Sequence, residues 1–166
     1  EDELRQTINA QPAIFTVSFA CLMAIREVNG GGGLPSPSFM AGHSLGEYTA
    51  LAAANVLDFS TTVCLTRVRG RLMYEAGLKE PGGMLAIIGL DKSELAEVCK
   101  ESDTWIANIN CPGQIVISGG RNNLTRAADL AAARGAIRTI PLPVGGAFHT
   151  PLMQPAVNGM SEIIAA

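Results

Sequence analysis

Apolar residues Ile14, Val17, Cys21, Ala24, Ile25 and Val28 recur three or four positions apart, which predicts a helix over 12–28. Pro12 suits its first position, where a missing N–H costs nothing. Gly30 to Gly33, then Pro35 and Pro37, break the pattern and predict a flexible loop. The apolar stretch Ser38-Phe39-Met40-Ala41-Gly42 reads as a short strand, covered on both faces if its sheet is parallel. A sharp change follows at His43-Ser44-Leu45-Gly46, then a small-residue helix through Tyr48, Ala50, Ala52, Ala53 and Ala54. Asp58 or Ser60 can cap the next helix, which runs to about Ala76 and is closed by Gly77.

Pro81-Gly82-Gly83 is the clearest boundary in the chain. Beyond it the pattern alternates: strand Met84–Ile88, helix Lys92–Lys100 after the cap candidate Asp91, and strands Trp105–Ile109 and Gln114–Ser118. Helix Asn123–Arg134, ended by Gly135, and strand Ala136–Ile140 complete a βαββαβ order, the ferredoxin-like unit. A final helix starts near Pro151. The reading is therefore an α/β body made of 1–83 and 144–166, with a small subdomain over 84–143 inserted in it. No internal repeat is visible.

Composition narrows the function classes. Hydrophobic residues make up 48% and charged residues 16%, which argues against intrinsic disorder. Mean hydropathy is +0.25, yet no unbroken apolar run approaches the ~20 residues of a membrane span, so no membrane partner is expected. A net charge of −3 without a basic block argues against nucleic acid as partner. The start Glu1-Asp2-Glu3 is no signal peptide and carries no initiator Met. We therefore expect a cytoplasmic protein, and a chain cut from something longer. The cysteines at 21, 64, 99 and 111 lie among apolar neighbours and are expected to act as small hydrophobes. With two histidines and no Cys/His cluster, neither a metal site nor a cofactor is expected.

Gly42-His43-Ser44-Leu45-Gly46 is a G-x-S-x-G sequence between a strand candidate and a helix, the context of a nucleophile elbow. Such a turn exposes the serine hydroxyl at a helix N-terminus, where free N–H groups stabilise a developing oxyanion. Serine is a weak nucleophile without a base. His43 adjoins Ser44, and adjacent side chains on a strand point to opposite faces, so it reads as a support for the elbow. His149, at a strand exit before the last helix, is the better base. Arg69 falls inside the apolar stripe Leu65, Val68, Leu72 and Ala76, whereas Arg67 and Arg71 fall on the polar side. An arginine turned inward needs an anion, either an internal carboxylate or that of a substrate.

Five segments carry a family likeness: Ala10-Gln11-Pro12-Ala13, the run Ala41 to Glu47, Val68-Arg69-Gly70, Asn110-x-Pro112-Gly113-Gln114, and Phe148-His149. Together they resemble the malonyl-CoA:acyl carrier protein transacylase family, which includes the acyltransferase domains of fatty acid and polyketide synthases. The resemblance covers nearly every segment in order. It implies an α/β-hydrolase-like body with a parallel sheet plus the inserted ferredoxin-like subdomain.

It also implies a ping-pong transfer of malonyl from malonyl-CoA to the phosphopantetheine thiol of an acyl carrier protein. By that resemblance Ser44 is the acylated nucleophile and His149 its base. Arg69 holds the malonyl carboxylate, the Leu45 N–H gives half the oxyanion hole, and His43 lies beside the substrate. Phe148 resembles the malonyl-selecting pattern, although Gly146 stands where a histidine is usual. The family's Gly-Gln-Gly segment, which supplies the second oxyanion donor, and its helices beyond the histidine are not in the sequence, as a fragment would lack them.

Two other readings share these residues. An α/β-hydrolase would use the same elbow, but the acids between Ser44 and His149 (Asp58, Asp91, Asp103 and Asp129) offer no evident third triad member. A module that docks a carrier protein without turnover is the non-enzymatic alternative.

Overall fold

The structure, a computed structural model, describes residues 1–28, 35 and 37–165, and the expected glycine loop at 30–33 lies outside them. The chain forms two compact units, Glu1–Arg71 and Leu72–Ala166.

In the first unit, α1 (Asp2–Arg5) precedes α2 (Thr7–Val28). Helix α2 therefore starts five residues before Pro12, which sits inside it and not at its first position. Phe15 is fully buried and packs with Phe19 and Phe59 at centroid separations of 5.4–5.8 Å. Ile14, Val17, Ile25 and Val28 stay exposed. The helix is long and apolar enough by composition to cross a membrane, with a mean hydropathy of 1.6 over 18 residues. Asn9, Gln11, Thr16 and Ser18 interrupt the stretch, so it contains no long unbroken apolar run.

Residues 38–42 form no strand, which corrects the sequence expectation. A strand exists through its ladder partners, and among the described residues none pairs with this segment; Phe39 is 93% exposed. Helix α3 (Gly46–Ala53) follows. Asn55 ends it at φ 58, with Val56 N–H bonding Leu51 O and Asn55 N–H bonding Ala52 O, a Schellman closure. Asp58 caps α4 (Phe59–Lys79) by accepting the Thr61 N–H at 2.8 Å. That helix runs past Gly77, so Gly77 is not its stop. A Cβ there would meet Gly145 O at 2.7 Å, so the glycine serves close packing instead.

In the second unit, β1 (Gly82–Ile88), α5 (Lys92–Ser102), β2 (Trp105–Cys111), β3 (Gln114–Gly120), α6 (Arg121–Ala133) and β4 (Arg138–Pro141) follow in order. The four strands pair antiparallel in the spatial order β2-β3-β1-β4. The sheet among the described residues is thus antiparallel, and the expected parallel sheet is not among them.

The register Leu85↔Ile117 and Ile87↔Ile115 lines up one apolar face, and Leu95, Val98, Leu124, Ala127 and Ala131 pack with it from α5 and α6. The alternate residues Met84, Ala86 and Val116 join Met73, Ala76, Phe148, Met153 and Ala156 in a second cluster. Asp91 caps α5 as expected, accepting the Glu94 N–H at 2.8 Å. Strand β4 starts two residues later than the pattern suggests, because Ala136 N–H is taken by Ala131 O in closing α6. A 3-10 turn (Pro151–Met153) leads into α7 (Gln154–Ala165). Cys99 is buried, but Cys21, Cys64 and Cys111 are exposed, against the expectation that all four fill apolar space.

Candidate active site

The elbow is built by backbone sterics. A Cβ on Gly42 would lie 1.9 Å from Gly46 C and O, so no other residue fits there. Around Gly46, by contrast, the space is open. Ser44 takes a left-handed φ of 53, a conformation side chains rarely adopt and one concentrated at functional turns. Gly46 N–H bonds His43 O at 2.9 Å and Glu47 N–H bonds Ser44 O at 3.2 Å, closing the turn into α3. Leu45, nearly buried, stands at the N-cap, and its N–H has no acceptor among the described residues. His43 is exposed, with its backbone carbonyl holding the turn.

Arg69 Nη2 donates to Ser44 Oγ at 3.0 Å, and Nη1 donates to Gln11 Oε1 at 2.6 Å. Gln11, 5% exposed, donates in turn to Thr7 Oγ1 at 2.8 Å. The guanidinium also lies 5.8 Å from the Tyr48 ring centroid. Arg69 makes no ion pair among the described residues, where the one salt bridge is Arg134–Glu101. Of the two partners the sequence allowed, an internal carboxylate is therefore not the one found. Burial pulls the Arg69 pKa below its ordinary value, with the charges of Tyr48 and Glu47 opposing this. Burial likewise raises the Tyr48 pKa, and Arg69 counters it. The result is a desolvated cation aimed at a strained serine, held by a neutral amide.

An open groove of about 780 Å³ runs beside the elbow, lined by 37–42 together with Glu47, Ala50, Leu51 and Ala54. It follows the segment leading into Ser44 and does not include the hydroxyl.

Phe148 and His149 belong to the second unit. Phe148 is 9% exposed within the Met73–Met84–Met153 cluster. His149 is exposed at φ 61, between that anchor and Thr150, which caps the following turn by accepting the Leu152 N–H at 3.2 Å. Its backbone is thus fixed from both sides. No group of three His, Cys, Asp or Glu that could hold a metal occurs among the described residues.

The sequence reading paired Ser44 with Arg69 and missed Gln11 as the arginine's partner. The signal was there: Gln11 lies one helical turn before Phe15, a polar residue on the buried face of α2.

An elbow serine beside a half-buried cation is the arrangement the described residues bring together, and the chain belongs to the acyl transferase domain family, whose model matches residues 1–166. It is 45% identical over 170 residues to a malonyl CoA-acyl carrier protein transacylase of Bacillus subtilis, covering 99% of this chain and 52% of that protein. It also resembles the crystal structure of an acyl-carrier-protein S-malonyltransferase from Burkholderia pseudomallei, with a TM-score of 0.91 and 40% identity over 99% of this chain and 54% of that one. A malonyl-transacylase solved in complex with a type II polyketide synthase acyl carrier protein matches with a TM-score of 0.90 and 40% identity, covering 99% and 53%. The chain spans about half the length of the curated relatives it matches.

Proposed function

We propose that the protein transfers malonyl from malonyl-CoA to the phosphopantetheine thiol of an acyl carrier protein through a Ser44 acyl-enzyme, in fatty acid or polyketide biosynthesis. The observation that carries this is the Arg69–Ser44 contact at 3.0 Å, made by a half-buried cation without a carboxylate partner among the described residues. Malonyl supplies such a carboxylate, one methylene away from its thioester carbonyl.

In the first half-reaction Ser44 Oγ attacks the thioester carbon and its proton passes to His149. The Leu45 N–H donates to the oxyanion. The C–S bond breaks, and the CoA sulfur takes the proton from His149. The carrier thiol then attacks the Ser44 ester with His149 again as base, and Ser44 regains its proton. His43 supports the elbow beside the substrate. Phe148 is the size filter that favours malonyl over methylmalonyl, by roughly 10–200-fold for one methyl. The reaction needs no metal or cofactor, and its partners are malonyl-CoA and the carrier, in the cytoplasm, with neither nucleic acid nor membrane involved.

The architecture that goes with this reading is an α/β-hydrolase-like body (1–83 and 144–166) with an inserted ferredoxin-like subdomain (84–143). The order β2-β3-β1-β4 with two helices on one face supports the subdomain. The turn from Gly42 through Ser44 into α3 supports the hydrolase-like body. Mass spectrometry of the full-length protein after exposure to malonyl-CoA tests the activity. A lasting malonyl adduct on Ser44 that a carrier thiol discharges is expected. An adduct lost rapidly to water would mark a hydrolase, and carrier binding without any adduct a docking module.

A further inference from the structure

Resting on the transferase reading, we propose that Arg67 is a positioning residue for malonyl binding: it grips a helix carbonyl left open by Pro12 and so sets Gln11, and through it Arg69, in place. Pro12 is the sixth residue of α2 and has no N–H, so the carbonyl of Ile8, four residues earlier, loses its helical donor. Arg67 Nη1 donates to that carbonyl at 3.0 Å. The same nitrogen bonds Asn9 Oδ1, and Asn9 is itself oriented by its Nδ2 donating to Glu3 O at 2.7 Å. The proline's defect on one helix is thus the acceptor for an arginine on another.

Three residues after Arg67, on the same face of α4, Gly70 brings the helices into backbone contact. A Cβ there would lie 2.6 Å from Thr7 O and 2.9 Å from Ile8 Cα. Arg67 and Gly70 therefore grip one turn of α2, residues 7–9, and the next residues along are those that hold Arg69. Gln11 Oε1 accepts from Arg69 Nη1, and Thr7 Oγ1 accepts from Gln11 Nε2. A slip of α2 along α4 by one residue is about 1.5 Å, more than a hydrogen bond tolerates. Arg67 is itself exposed, so its charge has little weight in general stability. Its effect is confined to the register that aims Arg69.

The test is made in the full-length protein with Arg67→Ala, Arg67→Lys and the Pro12→Ala background. Misplacement of a substrate-holding group by an ångström costs up to ~10²-fold, so we expect Arg67→Ala to raise KM for malonyl-CoA by about tenfold. Acylation of the enzyme by acetyl-CoA, which has no carboxylate to place, should stay within about twofold of wild type. Arg67→Lys keeps a donor for the Ile8 carbonyl and should recover part of the loss. Pro12→Ala returns a helical N–H to that carbonyl, so adding Arg67→Ala there should cost less than about threefold, a non-additivity diagnostic of shared partners. Equal losses for malonyl and acetyl, or the same penalty with and without Pro12, would overturn the proposal. If wild type takes no malonyl at all, the transferase reading falls, and the clamp is judged by arginine-labelled NMR. Broadened Arg69 guanidinium signals in Arg67→Ala then support it, and unchanged signals overturn it.

Discussion

The two units of the chain solve the burial problem in opposite ways. In Leu72–Ala166 the centre is aliphatic: Leu95, Val98, Ile117, Ala127 and Ala131 are all fully buried, and both faces of the sheet are covered. In Glu1–Arg71 two of the three fully buried larger side chains are threonines, Thr62 and Thr66, alongside Phe15. Ile14, Val17 and Phe39 meanwhile stand more than half exposed. The Ser44–Arg69–Gln11 chain lies in this second kind of unit. A half-buried cation needs polar neighbours, and Gln11 and Ser44 supply them. The Ser44–Arg69–Gln11 chain is therefore held by side-chain hydrogen bonds, whereas Leu72–Ala166 surrounds its own buried Ser102, Thr104 and Ser118 with an aliphatic centre.

The largest effect that sharpens this contrast is chemical. Ser44→Ala in the full-length protein should lower malonyl-enzyme formation by about 10⁴-fold or more, as loss of a nucleophile does. Uptake of radiolabelled malonyl checks it, and covalent label on the Ala variant would move the nucleophile elsewhere. Next come two core substitutions, one in each unit. Leu95→Ala removes a fully buried side chain and should cost about 2–5 kcal/mol in denaturant unfolding. Thr62→Val should cost less than about 1 kcal/mol, because the Asp58 carbonyl that accepts the Thr62 hydroxyl also keeps the Thr62 N–H. Comparable losses at the two sites would break the distinction between an aliphatic centre and one where small hydroxyl side chains are buried.

Arg69→Ala should cut the preference for malonyl over acetyl by on the order of 10²-fold, since only malonyl brings a charge that needs the guanidinium. Competition between the two CoA esters measures it. An equal loss for both acyl groups would make Arg69 a brace for the elbow and nothing more.

Local chemistry was readable from the sequence, and long-range pairing less so. The caps at Asp58 and Asp91 were legible because a cap is a contact between residues three apart. Arg69 stood out as a charge inside an apolar stripe. Pro12 misled, because proline is usual at a helix start, and the carbonyl its interior place leaves open takes its donor from Arg67, fifty-five positions away. The strand expected over 38–42 failed for a related reason. Its composition is that of a strand, but strand structure depends on partners, and the described residues provide none. Gln11 was overlooked because its partner, Arg69, lies on a different helix.

The smallest effect compares the caps, one from each unit. Asp58 and Asp91 are both exposed, and backbone N–H groups (Thr61 for one, Glu94 for the other) hold each carboxyl below the usual aspartate value. A depressed carboxylate pKa stabilises the folded state above the unfolded pKa, and that stabilisation is lost as pH falls through the folded one. The window is therefore acidic, from roughly pH 5 downward. Asn at either position still caps the helix but does not titrate there. Asp58→Asn and Asp91→Asn should each flatten the fall of Tm with acid slightly, while leaving Tm near neutrality within a few degrees. Both caps use an exposed aspartate on a first-turn N–H, so the two flattenings should match despite the different interiors beneath them. A clearly larger effect at Asp58 would mean that α4, which carries Arg69, depends on its cap more than α5 does, and that the contrast between the units extends to their surfaces.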